Sequence, residues 1–97
     1  MDTVYIIKSG DLRYAKPGGS AGSRGGFSAK ISLKTAYKMG KLATAEKFLA
    51  DRRVWTRCYE EEVVDPIWLP PARIAARANE RAQWRVAYIA EVNLIEA

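Results

Sequence analysis

Two short apolar runs separated by a tight turn constrain the fold of this chain more than any other feature. Residues 4–8 are rich in β-branched and aromatic side chains, and residues 12–16 alternate apolar with polar ones. Residues 9–11 read Ser-Gly-Asp, in which Gly tolerates positive φ and Asp favours local side-chain turns. The pattern predicts an N-terminal β-hairpin.

Two further segments have the period of a strand. Residues 27–33 alternate apolar with polar side chains and predict an extended strand, after which residues 34–39 could form a short helical turn. Residues 84–96 carry apolar groups in both interleaved sets, which predicts a long strand in a central or near-central position. The alternative is that the preceding helix continues through the C-terminus.

Residues 42–52 have the spacing of an amphipathic helix. Residues 44–47 read Thr-Ala-Glu-Lys and predict its N-terminal cap, with Glu in the first turn. The predicted core face consists of Leu42, Ala45, Phe48 and Leu49.

Residues 72–83 predict a second helix, with Pro71 suited to its first turn. Four-residue spacing places an arginine stripe along one side, formed by Arg73, Arg77 and Arg81, with Arg85 next in register. Arginine offers fixed donors for phosphate or carboxylate, although Glu80 dilutes the stripe. The alternative is the plain solvent face of an amphipathic helix. The opposite side, which suits packing on a sheet, carries Ile74, Ala75, Ala78 and Ala82.

The connections between these elements are less regular. Residues 54–59 favour a strand by propensity, whereas Glu60–Glu62 favour a helix, so residues 54–64 stay ambiguous. Residues 66–71 form a Pro-rich connector in which Trp68 is either a core anchor or an exposed interface anchor. Residues 17–26 contain five Gly and predict a mobile loop or contact loop, without the spacing of a phosphate-binding motif.

These elements predict a single α+β domain over residues 1–97. It would hold a small antiparallel sheet of three or four strands with two helices packed on it, since this length allows one domain only.

Composition removes several chemistries. The chain has no His and one Cys, which excludes His-dependent catalytic triads, internal disulfides and Cys-rich metal clusters. Cys58 is interpreted as a small core residue. Glu60–Glu62 are interpreted as a solvated face, because no second half of an acid–base site is visible. We therefore expect a protein without enzymatic activity or cofactor.

Charge and hydropathy suggest the compartment and the partner. The formal net charge is +5, and the basic excess lies in residues 1–41, which favours an acidic partner surface or a nucleic acid. We expect no signal peptide and no membrane partner, because the apolar run at the N-terminus is short, and we expect a cytoplasmic location.

Residues 3–50 and 84–96 resemble a pattern of small phage and mobile-element proteins. In these, strands like YIIK and LRYAKPG form a hairpin, SLKTAYKM precedes a helix like ATAEKFL, and a strand like VAYIAEVNLIE closes the sheet. Residues 51–83 then look like an insertion. The resemblance implies a compact accessory protein, of the type that includes some anti-CRISPR proteins.

Two functions follow as hypotheses. The first is a phage-type inhibitor or adaptor that binds a host protein or protein complex, since Trp, Tyr and Arg are the residues that dominate interfaces. The second is a nucleic-acid-binding module that uses the arginine stripe and the basic N-terminal half. The predicted binding residues are Tyr14, Arg24, Trp68, Arg73, Arg77 and Arg81.

Overall fold

The computed structural model describes residues 2–18, 25–60 and 62–95. Its sheet contains four antiparallel strands, β1 (Thr3–Ser9), β2 (Leu12–Ala15), β3 (Gly26–Ser28) and β4 (Tyr88–Asn93), in the spatial order β3–β2–β1–β4. The predicted hairpin is confirmed, because β1 and β2 pair around a turn in which Gly10 has a φ of 59°. The predicted α+β class, with two helices on a small antiparallel sheet, is also confirmed.

The central strand is β1, and its burial explains why. Ile6 and Ile7 point to opposite faces of the sheet and are both fully buried, so each face is covered. The C-terminal strand β4 pairs only with β1, from Thr3 opposite Asn93 to Lys8 opposite Tyr88. The prediction of a central C-terminal strand over residues 84–96 is therefore wrong, and β4 is a shorter edge strand.

The predicted strand over residues 27–33 is mostly absent. Strand β3 ends at Ser28, because the chain turns there: the Ser28 carbonyl accepts from the Ile31 amide and its hydroxyl from the Lys30 amide. A single helical turn follows, closed by the Ala36 amide donating to the Ser32 carbonyl at 2.9 Å. This loop covers one face of the sheet with a small core cluster of Ile6, Ala15, Ile31 and Ala36.

Helix α1 (Leu42–Thr56) is longer than the predicted residues 42–52. Its N-cap is Lys41, so the cap predicted at Thr44 is wrong. Its C-cap is Arg57, which has a left-handed backbone. This conformation lets the backbone amides of Arg57 and Cys58 donate to the last carbonyls of the helix. The ambiguous residues 54–56 are thus helical. The predicted core face is buried at Ala45 and Leu49, half-buried at Phe48 and exposed at Leu42.

Helix α2 (Pro71–Arg85) begins with Pro71 in the first turn, as predicted. It extends two residues beyond the predicted end, so Trp84 belongs to the helix and not to the last strand. The strand predicted over residues 84–96 is present only over Tyr88–Asn93, and the alternative of a helix to the C-terminus is wrong.

Trp84 is the side chain that joins α2 to the sheet. It is 2% exposed and packs on Tyr14 at 5.1 Å and on Phe27 at 4.9 Å between ring centroids. Such tilted aromatic pairs add about 1 kcal/mol each beyond the area they bury. The main core around them also contains Ile7, Met39, Ala45, Leu49, Cys58 and Ala87. Cys58 is fully buried, as predicted.

Only the C-terminal end of α2 is anchored in this way. Residues 71–80 are exposed on every side, and the longest dimension of the molecule, 49 Å, is about twice the other two. The prediction that the alanine side of α2 packs on the sheet is wrong, because Trp84 and not the small alanines supplies the buried contact. The exposed members of that side are Ile74, Ala75, Ala78 and Ala82.

Candidate binding face on the two helices

A cluster in sequence of large, exposed apolar side chains runs from the last turn of α1 to the connector before α2. Trp55 is 71% exposed and Trp68 is 76% exposed. We call the cluster the apolar face; its members are Val54, Trp55, Tyr59, Val64, Ile67 and Trp68. Single exposed apolar residues are ordinary, but six within fifteen positions typify an interaction surface.

Trp68 is exposed, so its interpretation as a core anchor is wrong. The connector leaves its side chain free, because the buried residue of this segment is the neighbouring Leu69, at 7% exposed. The Leu69 amide donates to the Pro66 carbonyl at 3.0 Å, which closes a turn that directs Ile67 and Trp68 outward.

The arginine stripe faces α1 and forms one wall of a cleft. Arg73, Arg77 and Arg81 line this space of about 280 Å³ together with Arg57 from the end of α1. Four arginine residues therefore line one concave space, and three of them are the members of the stripe. The remaining lining residues are Trp55, Thr56, Val63 and Glu80. We call this space the arginine cleft.

Two of the four guanidinium groups are held by carboxylates. Arg57 donates from Nε to Glu60 Oε1 at 2.8 Å, and this bond raises the pKa of Arg57 above its ordinary value. Arg77 Nε lies 3.5 Å from Asp65 Oδ1, and the Asp65 side chain is 9% exposed. Asp65 Oδ1 has no hydrogen-bond partner among the residues that the structure describes, so its main interaction is with Arg77.

Among the residues that the structure describes, the other two arginines of the cleft have no carboxylate partner. Within the described parts of the chain, neither Arg73 nor Arg81 lies within 4.0 Å of a carboxylate. Arg73 is exposed and Arg81 is half-buried, so both can reach a ligand that enters the cleft. An anion placed there would meet two guanidinium forks whose donors are otherwise solvated.

Arg85 continues the stripe in sequence but has a structural role. Its Nε donates to the Cys58 carbonyl at 2.7 Å, beyond the end of α1. In return, Arg53 of α1 donates from Nε to the Trp84 carbonyl at 3.1 Å and from Nη2 to the Ala87 carbonyl. These reciprocal bonds satisfy carbonyls near both helix C-termini and fix the two helices at this end only.

Trp55 separates the arginine cleft from a second cavity. That cavity, of about 470 Å³, lies on the other side of Trp55 and is bounded by Arg52, Glu80 and Trp84. The Arg52 guanidinium carbon lies 5.3 Å from the centre of the Trp55 ring, within the range of a cation–π contact. Trp55 therefore presents an aromatic surface flanked by positive charge.

Two predicted binding residues do not lie on this face. Tyr14 is 3% exposed at the centre of the aromatic core, and its burial raises the pKa of its hydroxyl. It contacts Trp84 and Phe27 and has no surface to offer a partner. Arg24, with most of the Gly-rich loop, lies outside the described residues.

Sequence reasoning missed the residues that α1 contributes. Trp55 and Arg57 fell in the segment that stayed ambiguous between strand and helix. Only the extension of α1 to Thr56 brings both residues next to α2. The available signal was the run of basic and apolar residues from Arg52 to Arg57, which has no clear one-sided pattern for a core helix.

The described residues form neither a metal-binding group nor a membrane-spanning helix. They contain no group of three or more His, Cys, Asp or Glu side chains arranged to hold a metal ion. None of the helices they form has both the length and the hydropathy needed to cross a membrane.

Comparison with known proteins gives no match. No family model matches the chain, and no curated protein or solved structure is similar to it at a significant level.

Proposed function

We propose that this chain is a non-enzymatic binding protein that docks on a partner protein through the apolar face. One observation carries the proposal: six large apolar side chains, two of them tryptophans, are exposed within residues 54–68, and one of them, Trp55, also lines the arginine cleft. Interface hot spots are enriched in Trp, Tyr and Arg; the apolar face contains Trp and Tyr, and the cleft that Trp55 lines contains Arg.

The energetics favour a protein over solvent as the neighbour of this face. Burying one large apolar side chain contributes about 1.5–3 kcal/mol, and an aromatic ring buries about 150–250 Å². Trp55 and Trp68 would contribute most of this, because both are rigid and largely exposed. The surrounding arginines would then form the polar part of the interface.

The resemblance to small phage and mobile-element proteins suggests the kind of partner. It points to an inhibitor or adaptor that binds a host protein or protein complex, including one of host defence such as a CRISPR complex. The basic charge of the chain supports an acidic surface on that partner.

The test is affinity capture from bacterial lysate with tagged protein, with and without nuclease, at low and high salt. We expect a defined protein that survives nuclease treatment and is lost with the I67S/W68S variant. Ile95→Ser is the matched control, because Ile95 is 74% exposed but lies beyond the far end of β4. Equal capture by all three proteins would contradict the proposal.

Nucleic-acid binding is the second candidate, and one observation favours it. Trp55 lines the arginine cleft, and a stacking aromatic beside guanidinium groups is typical of single-strand binding. It ranks second because three carboxylates, Glu60, Asp65 and Glu80, lie among the four guanidinium groups. In the capture experiment this function predicts a catch that nuclease removes and salt weakens strongly.

A further inference from the structure

We propose that the arginine cleft recognises an acidic segment of the partner, with two carboxylates bound by Arg73 and Arg81. This inference rests on the proposed function, since it names the chemistry of the partner at the same face. The apolar face would supply most of the affinity, and the cleft would select the partner by charge and spacing.

The state of the four arginines supports this assignment. Arg57 and Arg77 already have carboxylate partners in Glu60 and Asp65, which hold them in place. Within the described residues, Arg73 and Arg81 are the cleft arginines without such a partner. A guanidinium binds a carboxylate through two parallel N–H···O bonds, so each can accept one acidic side chain.

The spacing of these two arginines defines the ligand further. They are eight residues apart on α2, which corresponds to about 12 Å along the helix axis. A helix lying along α2 would match this distance with carboxylates eight residues apart. Between them Arg77 is held by the nearly buried Asp65, so the centre of the cleft carries little free charge.

The walls of the cleft favour a peptide over a polyphosphate chain. Trp55 and Val63 give it apolar surface against which the aliphatic part of an acidic helix can pack. Glu80 also lines the cleft and would repel an evenly charged phosphate backbone. Two separated carboxylates on an amphipathic helix avoid that repulsion.

The test uses three synthetic helical peptides of one length and apolar pattern. The first has two Glu eight residues apart, the second has the same two Glu on opposite sides, and the third has Gln in place of Glu. Binding to the full chain is measured by calorimetry at low salt. We expect the first peptide to bind about tenfold tighter than the other two, which corresponds to about 1.4 kcal/mol.

Paired variants then locate the effect. R73Q/R81Q should abolish the preference for the first peptide, while K30Q/K34Q removes the same charge from the exposed loop after β3 and should keep it. Circular dichroism checks that both variants fold. Equal binding of the three peptides would overturn the inference, and so would an equal loss in the lysine control. Tighter binding of a short single-stranded oligonucleotide than of the first peptide would also overturn it.

This inference and the proposed function can fail separately. If R73Q/R81Q still captures the cellular partner that I67S/W68S loses, the apolar face binds a protein without carboxylate recognition. If the first peptide is preferred but no protein is captured through Trp68, the cleft binds carboxylates and the proposed docking face is wrong.

Discussion

The two ends of helix α2 differ in almost every physical respect. At its C-terminal end, Trp84 is 2% exposed and packs against three other aromatic rings, and Arg53 donates to the carbonyls of Trp84 and Ala87. At its N-terminal end, residues 71–80 are exposed and face a cleft lined by arginines. One helix thus serves as a core element at one end and as a projecting surface at the other.

The three tryptophans show what this difference means. Trp84 contributes its burial to folding, whereas Trp55 and Trp68 leave their apolar surface in water. A domain of this size has a small core, so exposed rings are a substantial loss of available burial. The proposed partner would compensate that loss by covering them, and the comparison predicts separate effects of mutation on stability and on binding.

The largest expected effect is the loss of stability when Trp84 is replaced. W84A removes a buried ring that contacts Tyr14 and Phe27, and should lower the free energy of unfolding by about 3–5 kcal/mol. W55A is the matched control and should change it by no more than about 1 kcal/mol, because the ring is mostly exposed and its cation–π contact is with Arg52. Urea unfolding followed by circular dichroism measures both. A similar cost for the two variants would show that Trp55 belongs to the folding core.

The next effect concerns two neighbouring arginines of α1. R53A removes both hydrogen bonds to the Trp84 and Ala87 carbonyls and should cost about 2 kcal/mol, since charge-assisted bonds to buried groups are the stronger ones. R52A removes only contacts with the faces of Phe48 and Trp55, worth about 0.5–1 kcal/mol.

Thermal unfolding of the two arginine variants ranks them. R53K keeps the charge but loses the fork, so it should recover only part of the stability that R53A loses. If R52A is the more destabilising of the pair, the packing of α1 on the C-terminal end of α2 depends more on the contacts of Arg52 with Phe48 and Trp55 than on the hydrogen bonds of Arg53.

Local pattern predicted the parts of this fold that depend on neighbours in sequence. The hairpin follows from a Gly-containing turn between two alternating runs, and the start of α2 follows from Pro71. The side of α2 that is covered could not be predicted in this way. Alanines form its apolar side but bury little area, and one large residue at its end, Trp84, decides how it packs.

Only part of the candidate site could be predicted from the sequence, because a local pattern reports only on residues that are neighbours along the chain. Arg73, Arg77 and Arg81 share one side of a helix, so their spacing alone brings them together. Trp55 and Arg57 come from another element, and their approach depends on the buried Cys58 and on the bonds that Arg53 makes across the helix pair. Contacts between distant segments leave no local pattern to detect.

The smallest expected effect concerns the buried hydroxyl of Tyr14. Burial raises the pKa of the Tyr14 hydroxyl in the folded chain, whereas the unfolded chain has the ordinary value of about 10. The folded state then binds more protons than the unfolded state above that pH, so the free energy of unfolding falls as pH rises past about 10. Y14F should reduce this fall, because it removes the hydroxyl whose pKa is raised by burial. Urea titrations between pH 8 and about 11 measure the slope, with wild type as reference for the titration of other groups.

An equal slope for wild type and Y14F would mean that the Tyr14 hydroxyl reaches water through the neighbouring cavity, and the aromatic core would then be open on the side that Trp55 covers.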